Sequence, residues 1–300
     1  MKDAKLALKQ HADHRTTVKV GETAVVGGKE LLIIGGPCTV ESMEQMENVD
    51  SHLKGAPVQA LRGGVFKPRT SPYSFQGMGQ EGLDILAAIR EKHGMPVVTE
   101  VMSVEQLPAC AAQADMLQIG SRNMQNFELL KALGTVNKPI LLKRGLCATI
   151  EEFVMAAEYI LACGNPNVVL CERGIRSFDT FTRNVLDLGA VIALRQLTHL
   201  PVLVDPSHAA GKNELVADLA RAAVACGADG LIIECHPEPA KSVSDARQAL
   251  SLEEMVELVR SLQPIAAAVG RKVQSTRPHF SVIPGQMRIH STQLRAALGR

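Results

Sequence analysis

Reactive side chains recur along this sequence, each placed just after a short apolar run. In chain order they are Cys38, Arg62, Glu100, Arg122, Lys143, Glu172, Arg173, Asp205, His208, Glu234 and His236. Any one of them, taken alone, is more often a solvated charge at the start of a loop. Their recurrence after eight successive runs instead indicates a single polar site, built where many strands end.

One group of side chains offers mixed sulfur, nitrogen and oxygen ligands: Cys38, His208, Glu234 and Asp245. Such a set suits a borderline divalent metal such as Mn, Fe, Co or Zn, whereas Mg and Ca prefer oxygen ligands alone. The ligands lie far apart in the sequence, so their spacing carries no local metal motif. Taken singly, Cys38 is more often an inert core thiol, and His208 is as often a hydrogen-bonding loop residue. His236 is a substitute ligand, a residue that supports the ligands, or one that faces the substrate.

A second group is cationic: Arg62, Lys67, Arg69, Arg122, Lys143 and Arg173. Arginine presents a planar fork that matches phosphate and carboxylate, and lysine adds a point charge. So many cations gathered in one site would repel each other unless anions bind there. The sequence therefore predicts substrates with several negative charges. The pairs Gly35–Gly36 and Gly63–Gly64 would let the backbone approach such a ligand, although tight turns explain them equally well.

The elements that must position these side chains follow from the hydrophobic pattern. Eight apolar runs are short, continuous and rich in β-branched residues, which is typical of parallel strands covered on both faces. Segments with helical periodicity separate most of them. Eight strand-then-helix units predict a closed (β/α)8 barrel of the TIM type, whose reactive side chains collect at the C-terminal strand ends. The runs are ELLIIGGP, PVQALRGG, MPVVTEV, DMLQIGS, KPILLKR, NVVLCERG, LPVLVDPS and DGLIIECHP.

The chain divides into three predicted segments. Residues 1–30 form an N-terminal extension whose stretch TVKVGETAVVGGKE predicts a β-hairpin, placed to cap the lower end of the barrel. Residues 31–268 form the catalytic barrel, in which the long loop Gly63–Gly79 is expected to be functional because compact domains rarely hold such loops. Residues 269–300 form a basic C-terminal tail, either an oligomer arm or a disordered segment.

Composition excludes several classes of function. A formal net charge of +1, with 21% charged residues, provides no overall basic field for nucleic acid. Aromatic residues make up only 3%, with no Trp, which argues against stacking platforms for single strands. The sequence has no signal-peptide pattern and no run of roughly 18 apolar residues, so we expect a cytoplasmic protein without membrane or nucleic-acid partners. Its seven cysteines lack CxxC spacing, and we expect them to be reduced.

Eight motifs surround these residues: GGPCTVES, LRGGVFKPRTSPYSFQGMG, LQIGSRNMQN, LLKRG, CERG, DPSHAAGK, IIECHP and SVSDARQAL. Across residues 17–268 they resemble the 3-deoxy-D-arabino-heptulosonate 7-phosphate (DAHP) synthase family, type I beta branch. The KPRTSP loop, together with GPC and DPSH, is highly specific. The resemblance implies a metal-dependent transferase that condenses phosphoenolpyruvate with erythrose 4-phosphate and releases phosphate. That reaction is the first step of the shikimate pathway to chorismate and the aromatic amino acids.

At matching positions the resemblance assigns a role to each candidate residue. The implied ligands of the divalent metal are Cys38, His208, Glu234 and Asp245. The implied phosphoenolpyruvate-binding residues are Arg62, Lys67, Arg122, Lys143 and Arg173. The implied erythrose 4-phosphate-binding residues are Pro68, Arg69 and Thr70. We expect Lys67 to be the general acid, assisted by the catalytic residues Cys38 and His208, and because arginines crowd Lys67 we expect its pKa to be lowered.

Two other functions are alternatives. The sister 3-deoxy-D-manno-octulosonate 8-phosphate synthase uses the same chemistry on arabinose 5-phosphate, but it carries a KANRSS-like loop, and its metal-free forms have Asn where this chain has Cys38. A phosphate-binding barrel without turnover is the second alternative, against which the complete sets of ligands and cations argue. We expect a homo-oligomer, either a dimer or a tetramer. The segments outside the barrel are short, so we also expect no inhibition by Phe, Tyr or Trp.

Overall fold

The computed structural model of the chain describes residues 1, 3–67, 71 and 73–273. In that part, strands and helices alternate as the hydrophobic pattern predicts. The strands are β1 (Val18–Val20), β2 (Ala24–Val26), β3 (Glu30–Gly36), β4 (Ala60–Arg62), β5 (Val97–Glu100), β6 (Met116–Ile119), β7 (Ile140–Lys143), β8 (Val168–Glu172), β9 (Val202–Val204), β10 (Gly230–Glu234) and β11 (Lys272–Val273). The α-helices are α1 (Met43–Leu53), α2 (Gln80–His93), α3 (Leu107–Gln113), α4 (Phe127–Leu133), α5 (Ile150–Ala162), α6 (Leu188–Leu197), α7 (Pro206–Ala210), α8 (Asn213–Ala225), α9 (Leu252–Ser261) and α10 (Gln263–Ala268). None of these described helices combines the length and the apolar character that a membrane crossing requires.

Strands β3 to β10 form the closed barrel. Each pairs in parallel with the next, and β10 pairs back to β3, from Gly230 opposite Leu32 to Glu234 opposite Gly36. The strands are buried along nearly their whole length because helices cover their outer faces and side chains fill the interior. The predicted (β/α)8 fold is therefore confirmed.

The N-terminal hairpin closes the end of the barrel opposite the reactive side chains. Strands β1 and β2 pair antiparallel, with Val18 opposite Val26. Alternate side chains of the hairpin are buried, and they pack in one cluster with residues inside the barrel, including Leu32 and Ile34. The predicted hairpin is present, and its apolar face seals the barrel interior from below.

A buried carboxylate ties the first residues of the chain to the helical layer. Glu158 lies on helix α5, and its two oxygens accept hydrogen bonds from the backbone N–H groups of Lys5, Leu6 and Ala7 at 2.8 to 3.1 Å. A carboxylate that accepts several N–H groups tolerates burial, because these donors replace its water shell. The segment before the hairpin is thereby held against the barrel.

The last described residues also stay against the barrel. Strand β11 pairs in parallel with β3, with Val273 opposite Leu31, and Arg271 Nη2 donates to Asp229 Oδ1 at 2.6 Å. The rest of the predicted tail, residues 274–300, lies outside the described residues. The division of the chain into three segments stays a prediction.

Candidate active site

The four predicted metal ligands meet at the C-terminal ends of the strands. One ligand atom from each lies within 4.8 Å of the others. Cys38 follows β3, His208 lies on α7, and Glu234 ends β10. Asp245 comes from the loop after β10, and its Oδ2 accepts from Cys38 Sγ at 3.3 Å across 207 positions of sequence. The barrel thus brings distant residues into one cluster of mixed ligands.

Asp205 orients the ring of His208. One oxygen of Asp205 accepts from the His208 backbone N–H at 2.9 Å, and the other lies 2.8 Å from His208 Nδ1. The second ring nitrogen, Nε2, then lies on the side of Glu234, whose Oε2 is 3.8 Å away. Burial lowers the pKa of His208 to about 3, so the imidazole is neutral and Nε2 can carry a lone pair. Asp205 also pairs with Lys143, so one carboxylate fixes a candidate ligand and a cation.

Glu234 supplies an oxygen that no group in the described part of the chain satisfies. Its Oε2 accepts a hydrogen bond from Gln248 Nε2 at 2.8 Å, whereas its buried Oε1 has no hydrogen-bond partner there. Burial raises the pKa of this carboxyl group to about 7. A buried oxygen without a partner is costly unless a cation or donor occupies its free side. With the thiol and imidazole beside it, this oxygen fits a divalent transition metal.

Metal binding is expected to release more protons below pH 7 than above it. Burial and the charge of Glu234 raise the pKa of the Cys38 thiol, so a metal must displace that proton across the neutral range. Glu234 is protonated below its pKa of about 7 and releases a second proton there. We expect about two protons per ion near pH 6 and about one near pH 8, so the apparent affinity rises with pH, more steeply below pH 7.

Calorimetric titration of metal-free protein with Mn²⁺, in buffers of different ionisation enthalpy, measures both proton counts. In a Glu234→Gln variant the count should be about one at both pH values, because the amide has no proton to release. An equal count at both pH values in the unmodified protein would contradict the role of Glu234 as a ligand that titrates near neutrality.

His208 and Asp245 border a cavity of about 540 Å³ that is rich in cations. Four of the five side chains expected to hold phosphoenolpyruvate line this cavity, together with two further arginines. The lining cations are Lys67, Arg122, Lys143, Arg173, Arg176 and Arg183. Cations gathered at this density require anions to offset their repulsion, and guanidinium groups match phosphate and carboxylate in shape.

Arg62 and Lys67 are buried beside the metal ligands. Arg62 ends β4 and is only 4% exposed, and its Nη1 has no hydrogen-bond partner among the described residues. Lys67 Nζ donates to the carbonyl oxygen of Cys38 at 3.0 Å and lies 2.9 Å from its Sγ. A buried donor without a partner is costly, so Arg62 is poised to bind an anion.

The predicted lowering of the Lys67 pKa is wrong. Burial favours the neutral amine, but the interactions of the ammonium with Cys38 and Glu100, including its hydrogen bond to Cys38, outweigh burial and Arg62 and raise the pKa of Lys67 above its ordinary value. The prediction considered only the neighbouring arginines and missed the acidic groups on the other side of the ammonium. Lys67 is therefore a cation at neutral pH.

Arg176 and Arg183 reach the cavity although the sequence pattern did not single them out. Both lie in the loop between β8 and α6, which an antiparallel bridge between Ile175 and Val185 closes. Neither directly follows a strand, so a search of strand ends misses them. The signal that could have found them is the repeated arginine in the stretch RGIRSFDTFTRN.

Two polar residues at strand ends lie outside the cavity lining. Glu172 is fully buried and accepts from Arg144 Nη1 at 2.9 Å and from the Gly174 N–H at 2.6 Å. His236 Nε2 lies 3.4 Å from Glu41 Oε1. Neither residue is among the described residues that border the cavity. The buried Nε2 of His236 has no hydrogen-bond partner among the described residues, and the role of this histidine stays a prediction.

Glycine is required where the strand ends approach each other. Gly36 has a φ of 142°, and a Cβ there would lie 2.3 Å from the carbonyl oxygen of Arg62. A Cβ on Gly64 would lie 2.7 Å from the carbonyl oxygen of Cys38 and 3.1 Å from Lys67 Nζ. All three close contacts are with protein atoms. These glycines therefore allow tight packing of the loops that carry Cys38 and Lys67.

The residues expected to bind erythrose 4-phosphate, Pro68, Arg69 and Thr70, lie outside the described residues. Their neighbours in the sequence, Lys67 and Ser71, both border the cavity. Their role stays a prediction.

The model of the DAHP synthetase I family matches residues 11–269, which include the whole barrel and all four candidate ligands. The chain belongs to this family. The resemblance to DAHP synthases is thereby confirmed, and this family member is an enzyme of the aldolase or synthase kind. Its membership agrees with the metal cluster and the cationic cavity described above.

The chain is similar to two kinds of aldolase, and its sequence identity to them differs. It is 49% identical over 273 residues to phospho-2-dehydro-3-deoxyheptonate aldolase of Thermotoga maritima, covering 91% of this chain and 80% of the relative. It is 32% identical over 272 residues to 2-dehydro-3-deoxyphosphooctonate aldolase of Citrifermentans bemidjiense, covering 85% of this chain and 98% of the relative. The heptonate aldolase is the more similar of these two.

Two solved structures from Thermotoga maritima share the fold of the chain. The crystal structure of phospho-2-dehydro-3-deoxyheptonate aldolase (DAHP synthase) matches with a TM-score of 0.86 at 48% identity, over 91% of this chain and 80% of that one. A truncated form of 3-deoxy-D-arabino-heptulosonate 7-phosphate synthase matches with a TM-score of 0.83 at 45% identity, over 90% and 98% respectively. The second match spans nearly the full length of the truncated form.

Proposed function

We propose that the chain is a 3-deoxy-7-phosphoheptulonate synthase, a transferase that converts phosphoenolpyruvate, erythrose 4-phosphate and water into DAHP and phosphate. One observation carries the proposal: candidate metal ligands of mixed type and six cationic side chains lie at one cavity. Such a cavity suits two phosphorylated substrates. The reaction would begin the shikimate pathway to chorismate and the aromatic amino acids.

Phosphoenolpyruvate would bind through its phosphate and carboxylate to five cations: Arg62, Lys67, Arg122, Lys143 and Arg173. Four of these side chains are nearly inaccessible to water, with only Arg122 exposed at the rim. Electrostatic attraction is stronger in such a poorly solvated site than in water. The unpartnered Nη1 of Arg62 supports this assignment, because an anion oxygen would satisfy it.

One divalent ion, Mn, Fe, Co or Zn, would be held by the four candidate ligands Cys38, His208, Glu234 and Asp245. When bound, the metal supplies Lewis acidity to the aldehyde oxygen of erythrose 4-phosphate. A site with sulfur, nitrogen and oxygen donors accepts several of these metals, so availability would select among them.

The cations would fix both substrates so that C3 of phosphoenolpyruvate attacks the aldehyde carbon. As the double-bond electrons of phosphoenolpyruvate form the new carbon–carbon bond, C2 becomes electron-poor and water adds there. The resulting hemiketal phosphate loses inorganic phosphate by C–O cleavage. Lys67, protonated and buried beside Cys38, would donate the proton that the aldehyde oxygen takes up. Pro68, Arg69 and Thr70 would hold erythrose 4-phosphate next to it.

The competing substrate is arabinose 5-phosphate, which the octulosonate relatives suggest. We favour erythrose 4-phosphate because identity to the heptonate aldolase is 49%, against 32% to the octulosonate aldolase. The KPRTSP loop, which begins at Lys67 on the cavity wall, supports the same choice.

An assay of phosphate release with each aldose phosphate tests the choice of substrate, the class of reaction and the dependence on metal together. With phosphoenolpyruvate and Mn²⁺ present, we expect kcat/KM for erythrose 4-phosphate to exceed that for arabinose 5-phosphate by at least about 100-fold. A chelator should abolish phosphate release, and added Mn²⁺ should restore it. Phosphoenolpyruvate without any aldose is the control for simple hydrolysis.

Faster turnover with arabinose 5-phosphate would assign the chain to the sister reaction. Absence of phosphate release with both sugars, in metal-loaded and folded protein, would instead support a barrel that binds phosphate without turnover. Turnover that survives the chelator would contradict the proposed dependence on metal.

The assembly and location of the enzyme are also proposals. We propose a homo-oligomer, a dimer or tetramer, that works in the cytoplasm on small-molecule substrates. A formal net charge of +1 supports a protein that has no nucleic-acid partner.

A further inference from the structure

The loop between β10 and α9 carries Asp245 in a backbone conformation that aspartate rarely adopts. Asp245 has a φ of 54°, and no other non-glycine residue in the described part of the chain has a positive φ. This left-handed conformation is unfavourable for a residue with a Cβ and persists only where its surroundings impose it. Whatever holds this loop therefore also holds a candidate metal ligand.

Glu41 clamps the loop through one carboxylate oxygen. Its Oε1 accepts from the Val243 N–H at 3.1 Å. Ser242 Oγ lies 3.5 Å from this oxygen but donates to the Ser244 carbonyl oxygen at 2.7 Å, and His236 Nε2 lies 3.4 Å away with no hydrogen-bond partner among the described residues. His236 stands near the start of the loop, and the other two residues closely precede Asp245. A hydrogen bond to an ionised acceptor is stronger than one between neutral groups. Glu41 thus holds the end of the segment that directly precedes Asp245.

Thr39 provides a second clamp next to the first. Its Oγ1 lies 2.7 Å from Ser244 Oγ, and both side chains are buried. Ser244 directly precedes Asp245, and Thr39 directly follows Cys38. A hydrogen bond shielded from water holds its partners closely together. The segment that supplies one ligand therefore also holds the residue directly before another.

Both clamping residues are fixed in turn to helix α1. Gln45 Oε1 accepts from the Glu41 N–H at 2.9 Å, and Gln45 Nε2 donates to the Thr39 carbonyl oxygen at 3.3 Å. Arg183 acts differently, because its Nη1 donates to Oδ1 of the Asp245 side chain at 2.9 Å and its own side chain is 41% exposed. Glu41 and Thr39 instead connect the stretch directly before Asp245 to the segment that follows β3.

We propose that Glu41 and Thr39 are positioning residues for the metal, which raise its affinity by holding the loop so that Asp245 stays directed at the other ligands. The inference rests on the proposed metal site. Neither residue belongs to the ligand cluster itself, so its loss should weaken metal retention without removing a ligand. Partners outside the ligand shell commonly contribute about 10–100-fold to metal affinity.

Chelator competition on the full chain, prepared metal-free and reloaded with Co²⁺, tests the proposal. In Glu41→Ala we expect Co²⁺ affinity to fall by about 10–100-fold, because the released loop no longer presents Asp245. The thiolate-to-cobalt absorption band should persist at saturating Co²⁺, since Cys38 remains. Glu41→Gln keeps an acceptor oxygen for the Val243 N–H and should recover part of the affinity.

Glu238 is the matched control, because it lies on the same loop, is exposed and pairs with Lys241. Glu238→Gln should bind Co²⁺ as tightly as the unmodified protein, and an equal loss in this variant would overturn the proposal. Should Glu41→Ala fail to fold, Thr39→Val keeps the shape of the side chain without its hydroxyl and should lower affinity by about 10-fold.

Unchanged Co²⁺ affinity in the folded clamp variants would overturn the positioning role. Cys38→Ser distinguishes this result from failure of the proposed function. If Cys38→Ser loses Co²⁺ while the clamp variants retain it, the metal site stands and only the positioning role is wrong. If Cys38→Ser binds Co²⁺ as tightly as the unmodified protein, the metal site itself is wrong and the inference falls with it.

Discussion

Replacement of Cys38 by serine is expected to lower metal affinity by at least about 100-fold and to abolish metal-dependent phosphate release. A metal displaces the proton of a thiol, whereas a serine hydroxyl keeps its proton near neutrality and is a harder, weaker ligand. The Cys38 sulfur also accepts from Lys67 Nζ and contacts Asp245 Oδ2, so its loss disturbs the centre of the site. Asparagine at this position should have the same effect. Chelator competition and phosphate release with both substrates measure the two losses.

Cys147→Ser is the matched control, because this cysteine is exposed and lies outside the cavity lining. It should change neither metal affinity nor turnover. Thermal unfolding of each metal-free variant checks that the barrel is intact. Full activity of Cys38→Ser after chelation would contradict both the metal site and the proposed mechanism.

Replacement of Lys67 by methionine is expected to lower kcat by about 10²–10⁴-fold. Methionine keeps an unbranched side chain of similar length but has no N–H group, so it can neither donate a proton nor bind an anion. Because Lys67 is also expected to contact phosphoenolpyruvate, KM for that substrate should rise. Initial rates at saturating Mn²⁺, with each substrate varied in turn, separate these two effects.

Lys131→Met is the control for Lys67→Met, since Lys131 is exposed and pairs with Glu128 on the outer surface. Metal affinity must be measured alongside the rates, because Lys67 donates to the Cys38 sulfur. A raised KM with normal kcat would show that Lys67 binds substrate and would contradict its assignment as the general acid.

The barrel was predictable because each of its units is specified locally. A continuous apolar run marks a strand covered on both faces, and a 3.6-residue period marks the helix that follows. Eight such units leave few possible architectures. The run PVQALRGG is nevertheless longer than strand β4, Ala60–Arg62, because the apolar residues Pro57 and Val58 come before the first paired position.

Which residues share the site was partly predictable, because the C-terminal ends of all parallel strands lie on one face of a barrel. The direction of each side chain was not. Glu172 and Arg173 are adjacent, so they point to opposite sides of the strand end, and only Arg173 lines the cavity. Glu172 turns instead to Arg144. Sequence order alone does not decide which of two neighbours faces inward.

The sequence by itself determined the fold class and predicted the kinds of metal ligand and the anionic character of the substrates, because local periodicity and side-chain chemistry specify them. Only the tertiary structure decided the charge states, raising the pKa of Glu234 to about 7 and that of Lys67 above its ordinary value. It also decided that Glu41 holds the loop before Asp245. These properties depend on burial and on distances between residues far apart in the chain, and electrostatic free energies vary with both.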